Sequence, residues 1–86
     1  MSISVLAADI RVRGVALTDD TLSVDLMDGR TIAVPIARYP RLAKASPEAR
    51  AHWVIAGGGY GIHWPDLDED LSTEGLLRGA PAPMHR

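Results

Sequence analysis

The chain contains no cysteine and no phenylalanine. The first absence excludes disulfides and thiolate metal sites. The second leaves Tyr39, Trp53, Tyr60 and Trp64 as the aromatic residues, so the core must be aliphatic with the tryptophans as its largest packing units. No apolar run approaches the length needed to span a bilayer. Positive charge is not in excess: Lys and Arg number 9 against 11 Asp and Glu, a formal net charge of −2 with histidine neutral. The domain as a whole is therefore not an electrostatic binder of nucleic acid. The first residues, 1–5, lack the basic region of a signal peptide, and the expectation is a bacterial-type cytoplasmic protein. Internal repeats and long low-complexity tracts are also missing.

What is present is ordinary globular composition, 86 residues with 47% hydrophobic and 23% charged. That fits one small domain, placed at residues 1–79, with 80–86 as a flexible tail containing Pro81 and Pro83. A core this small has little volume to give to a deep cleft, which favours a binding surface or a homodimer over catalysis.

The first half alternates with period two. Leu6, Ala8, Ile10 and Val12 share one parity, and Asp9, Arg11 and Arg13 the other. Past Gly14 the apolar parity moves to Val15 and Leu17, which predicts a bulge there. Residues 18–21 form a turn, and Leu22, Val24 and Leu26 face inward on the next strand. At Asp28-Gly29, parity selects the turn. A three-residue loop, Met27-Asp28-Gly29, pairs Val24 with Ile32 and Leu22 with Val34, burying both apolar sets on one face. Gly29 then takes the left-handed position. Pro35 ends the ladder or marks an edge.

Residues 38–54 predict helical turns. Pro40 and Pro47 suit helix starts, Ser46 is an N-cap with Glu48 in the first turn, and Leu42, Ala45, Ala49 and Trp53 form a stripe. Glu48 and His52, four apart, are spaced to pair. Gly57-Gly58-Gly59 makes a flexible join, and Tyr60, Ile62 and Trp64 alternate as a short strand ending at Pro65. Residues 66–70 predict an acidic loop. Ser72 caps a last helix over 73–78, in which Leu76 and Leu77 pack, and Gly79 stops the helix. The predicted fold is α+β: an antiparallel sheet of three to four strands with short helices packed on one face.

Three constellations carry chemistry. Asp66, Asp68, Glu69 and Asp70 beside His63 form a dense acidic cluster. Counted as a calcium loop from Asp66, the positions that need Gly and Glu hold Leu71 and Leu77, so that motif fails. A weaker divalent-metal site, a solvated loop before a helix, and a contact surface for a basic partner are the readings left open. His63 opposes Tyr60, Ile62 and Trp64 in parity and lacks a nucleophile in a partner motif, so a hydrogen bond to an acidic neighbour or to backbone is expected rather than base catalysis. The glycine run ends without the Lys-Ser/Thr of a phosphate loop and precedes a strand, so it predicts a hinge or turn. Charge is also segregated. Arg38, Arg41, Lys44 and Arg50 stand against Glu48 alone within 38–52, whereas 53–77 carries five acidic residues and no Lys or Arg. The basic stretch is the nucleic-acid candidate, though four side chains give few phosphate contacts.

The run from Gly59 to Ser72, with His63-Trp64-Pro65-Asp66-Leu67-Asp68-Glu69-Asp70-Leu71 at its centre, together with Asp28-Gly29-Arg30 and Tyr39-Pro40-Arg41-Leu42, resembles the DUF2442 family of small bacterial proteins of unknown function. The resemblance covers residues 5–79 and implies a small α+β fold with an antiparallel sheet. It also implies a partner, because family members are often one half of a two-gene cassette similar to a toxin–antitoxin pair. Some relatives carry an added C-terminal helix-turn-helix, and too few residues follow Gly79 to hold one.

The sequence thus predicts a non-catalytic, antitoxin-like module that masks a small partner protein encoded nearby, without cofactor, metal or membrane. Its partner-binding candidates are Tyr60, His63, Trp64, Asp66, Asp68, Glu69 and Asp70, with Tyr60 or Trp64 as aromatic anchors. The alternatives are a nucleic-acid or transcription-associated accessory domain using Arg38, Arg41, Lys44 and Arg50, and a small metal-dependent enzyme using His63 and the carboxylates.

Overall fold

A computed structural model describes residues 8–79. Leu6 and the 80–86 tail lie outside the described residues. The described chain runs β1 (Val12–Leu17), β2 (Thr21–Leu26), β3 (Thr31–Pro35), a 3-10 turn (Ile36–Arg38), α1 (Pro40–Ala43), α2 (Pro47–Ala51), β4 (Val54–Ala56), a second 3-10 turn (Gly57–Gly59), β5 (Gly61–Trp64), β6 (Glu69–Ser72) and α3 (Thr73–Arg78). The arrangement is α+β and antiparallel, as expected. The strands divide between two three-stranded sheets, ordered β1-β2-β3 and β4-β5-β6.

The first sheet follows the parity argument closely. Val24 pairs with Ile32 and Leu22 with Val34. The Leu26 N–H donates to the Arg30 carbonyl at 2.8 Å across the three-residue turn, and Gly29 sits at φ 93°. The register between β1 and β2 shifts between Val12 and Gly14, which places a bulge there and restores the inward facing. β3 is an edge strand and ends at Pro35.

The caps were equally local. Ser46 accepts from the Ala49 N–H at 3.1 Å and Ser72 from the Gly75 N–H at 2.9 Å, and Gly79 closes α3 in the left-handed conformation.

The second sheet departs from the sequence reading. Val54 does not continue the helical stretch but opens β4, which pairs with β5 across the glycine turn. Gly57, Gly58 and Gly59 all have positive φ and reverse the chain within three residues, so the run is a hairpin turn. The acidic loop is shorter than expected: Glu69 and Asp70 belong to β6, paired with Trp64 and His63. Tyr60 precedes β5 and is exposed, and Leu77 points to solvent while Leu76 packs.

The core is one hydrophobic cluster: Val12, Leu22, Val24 and Leu26 from the first sheet, Ile62, Trp64 and Leu71 from the second, and Ile36, Tyr39, Leu42 and Leu76 from the turns and helices, with Trp64 and Tyr39 its largest members.

Candidate functional site

The His63–Asp70 run is a β-hairpin, and strand parity sorts its side chains. On β5, Ile62 and Trp64 point inward and His63 outward; on β6, Glu69 and Leu71 point inward and Asp70 outward. His63 and Asp70 are cross-strand partners, with Nδ1 2.7 Å from Oδ1, so of the two partners the sequence allows, an acidic neighbour or backbone, it is the acidic neighbour. Trp64 is fully buried, and its indole N–H donates to the Arg50 carbonyl at 3.0 Å. Glu69 is 1% exposed, and one of its carboxylate oxygens accepts from the Asp70 N–H at 3.2 Å. Two of the partner-binding candidates are therefore corrected. Trp64 is a core residue because an outward indole would strip the small core of its largest member, and Glu69 shares its inward parity. Tyr39 also lies in this interior, where burial raises its phenol pKa; Arg38 opposes that rise and Glu69 adds to it.

The remaining candidates are at the surface. Tyr60, Asp66, Asp68 and Asp70 are exposed and His63 is partly so. His63 and Asp70 are brought together, but the others do not join them. Asp66 lies 3.0 Å from Nδ1 of His52, which pairs with it rather than with Glu48. Asp70 is held by His63. Among the described residues no group of three or more His, Asp or Glu is placed to hold a metal ion.

Three of the four basic candidates bind main-chain oxygens. Arg41 donates to the carbonyls of Leu67 at 3.3 Å and Asp68 at 2.8 Å, fastening the tight turn where Asp68 takes a φ of 50°. Arg50 donates to the carbonyls of Leu42 and Ala43, both at 2.9 Å, and of Thr18 at 3.4 Å, satisfying the open C-terminal end of α1. Arg38 donates to the Gly79 carbonyl beyond α3. Lys44 is exposed and makes no side-chain hydrogen bond or ion pair with the described residues.

The Asp28-Gly29-Arg30 segment is likewise a structural device. The Asp28 carboxylate accepts from the Asp9 and Arg30 N–H groups, each at 3.1 Å, and from the Arg30 guanidinium at 2.8 Å. The Arg30 contact lowers its pKa from 3.8 to about 2. Arg11 pairs with Asp9 in the same way at 2.6 Å, and its aliphatic stem lies against Gly59, joining the two sheets.

What the sequence reading missed is the outer edge of the second sheet. β4 is one of the two edge strands, and its Val54 and Ile55 are 42% and 44% exposed, with Tyr60 at 51% just beyond the turn. Beside the first residue of β4 lies an open groove of about 270 Å³, lined by Val15, Leu17, Asp19, Pro47, Arg50 and Trp53 among others. The signal was present as two adjacent β-branched residues abutting a glycine run, but the helical spacing of Ala49 and Trp53 masked it. No helix of the described residues is long and apolar enough to cross a membrane.

Two solved structures share this fold. A protein of unknown function from Rhodospirillum rubrum is 35% identical, with a TM-score of 0.72 over 85% of this chain and 90% of that one. An uncharacterised protein from Chromobacterium violaceum is 24% identical, with a TM-score of 0.73 over 85% of this chain and 69% of that one, and shares the fold. No curated protein matches the chain. The profile of the family described as "Protein of unknown function (DUF2442)" matches residues 12–82, and the chain belongs to that family.

Proposed function

We propose that this DUF2442 protein is a non-catalytic, cytoplasmic protein-binding module that masks a small partner protein in the manner of an antitoxin. The observation that carries the reading is the apolar edge: Val54 and Ile55 on an unpaired strand with Tyr60 beside them, in a domain with few large side chains to leave outside. Surface of this kind gains more from burial against a partner than from contact with water. Two further observations favour it over the alternatives. Arg38, Arg41 and Arg50 direct their donors at main-chain carbonyls of their own domain rather than presenting them to phosphates. Asp66 and Asp70 each face a different histidine, which disfavours a shared catalytic metal.

The test is co-expression of the chain with the product of its adjacent gene. Co-purification of the two, and rescue of growth if the neighbour is toxic, are the expected results. Failure of both removes the proposal.

A further inference from the structure

Edge strands carry unpaired N–H and C=O groups that template another strand, and folded proteins ordinarily blunt them with Lys, Pro or a bulge. β4 carries no Lys, Pro or bulge, and its shortness, three residues, is its one protection. It reads Val54-Ile55-Ala56, pairs regularly with β5 on one side, and receives no main-chain hydrogen bond on the other among the described residues. The carboxylates placed near the strand are Asp66 and Asp70, and the cation that lines the groove, Arg50, directs its guanidinium at the carbonyls of Leu42, Ala43 and Thr18. Residues 53–77 carry five acidic side chains and no Lys or Arg, and all but Glu69 are exposed. Arg41 stands 4.0 Å from Asp68 and Arg78 3.7 Å from Glu74, but Asp66 and Asp70 are faced by histidine alone. Asp66 is held beside His52, two residues before β4, and Asp70 lies across the sheet in the row Val54, His63, Asp70. The open groove lined by Val15, Leu17 and Trp53 includes the residue just before the strand.

We propose that β4 takes up an extended, basic segment of a protein partner as an added strand, with an apolar side chain of that segment seated in the Trp53 groove. Main-chain pairing supplies the attachment, the groove a side-chain pocket, and Asp66 with Asp70 the preference for Lys and Arg. This rests on the protein-binding reading and names the surface and partner chemistry it uses.

The probe is a synthetic peptide of about eight residues alternating Val and Lys, a length suited to one strand. Titrated into the labelled chain, it is expected to shift the amides of Val54, Ile55 and Ala56 and slow their hydrogen exchange. A Val–Glu peptide is expected to bind at least about tenfold more weakly, and a Val–Lys peptide N-methylated along its pairing edge to lose binding. Ile55→Lys, which places a cation on an exposed edge position, is expected to weaken the Val–Lys peptide about tenfold while leaving the melting temperature of the free chain unchanged. Amide shifts confined to other elements, or no binding by the Val–Lys peptide, overturn the proposal. So does a free chain that is dimeric and made monomeric by Ile55→Lys, since a second copy then occupies the edge. If the neighbouring gene product co-purifies equally with the native chain and with Ile55→Lys, the edge proposal falls and the protein-binding reading survives. If the peptide binds β4 but the neighbour never co-purifies or rescues, the reverse holds.

Discussion

The β1–β3 sheet and the β4–β6 sheet are both three-stranded and antiparallel, yet they are held in shape differently. The first is built from strands of five or six residues whose alternation sets one face against the core, and its β2–β3 register is fixed by a turn of three. The second is built from strands of three or four residues, too short for periodicity to specify them alone. Its shape depends on anchors from elsewhere: the Arg50 carbonyl on the Trp64 indole, and the Arg41 guanidinium on the turn between β5 and β6. The comparison teaches that the first sheet is largely self-specifying, whereas the second is assembled on the helical segment and left with an apolar edge.

The strongest way to break that distinction is at Trp64. Trp64→Ala is expected to cost about 3–5 kcal/mol, enough to unfold a domain of this size, because it opens a cavity and leaves the Arg50 carbonyl unpaired. Tyr60→Ala, at the exposed end of the same hairpin, should change stability by no more than about 0.5 kcal/mol. Urea denaturation of both separates an interior tryptophan from a surface tyrosine, and equal effects would refute the assignment.

Gly29 sharpens the account of the first sheet. A side chain there meets no atom within 4 Å, so the cost of Gly29→Val is backbone strain at φ 93°, about 1–3 kcal/mol by the same measurement. At Gly59, φ 101° is joined by a clash, since a Cβ would lie 3.1 Å from Arg11. Gly59→Ala should therefore lose more stability than Gly29→Ala, and Arg11→Ala should narrow the difference.

The turn between β5 and β6 offers a smaller effect. Arg41→Ala is expected to cost about 1 kcal/mol by freeing the Leu67 and Asp68 carbonyls, and Arg41→Lys should recover part of it, since both bonds come from the single nitrogen Nη1 and an ammonium also carries several donors. Lys44→Ala should be silent in thermal melts. The reverse ranking would argue against Arg41 as a structural clamp.

The smallest effect is acid sensitivity in the first sheet. The folded Asp28 carboxyl titrates at about 2 against an ordinary 3.8, so ionised Asp28 favours the folded state. That contribution is fully present above about pH 4 and is lost as pH falls through the folded value. Asp28→Asn should be less stable than the native chain at neutral pH, with the difference shrinking as the pH approaches 2. Paired acid titrations followed by circular dichroism measure it, and a difference that grows toward low pH would contradict the sign.

Much of the first sheet was legible because its determinants are close in the chain. The Gly14 bulge, the Met27–Gly29 turn and the inward sets on β2 and β3 follow from parity within a few residues. The acidic cluster was legible as composition but not as geometry. One sequence position separates buried Glu69 from exposed Asp70, and the choice depended on where β6 begins against β5. Likewise Arg38, Arg41 and Arg50 looked like a free basic stretch because carbonyls contribute no visible charge to a sequence.

The sequence by itself determined the α+β class, the β2–β3 register and the caps at Ser46, Ser72 and Gly79, because each rests on contacts within a turn or between adjoining strands. Tertiary structure alone decided that Glu69 is buried, that Arg41 and Arg50 grip backbone 7 to 32 residues away, and that β4 exists with an open edge. Those outcomes depend on which distant groups are left unsatisfied once the chain is compact, and local periodicity carries no record of that.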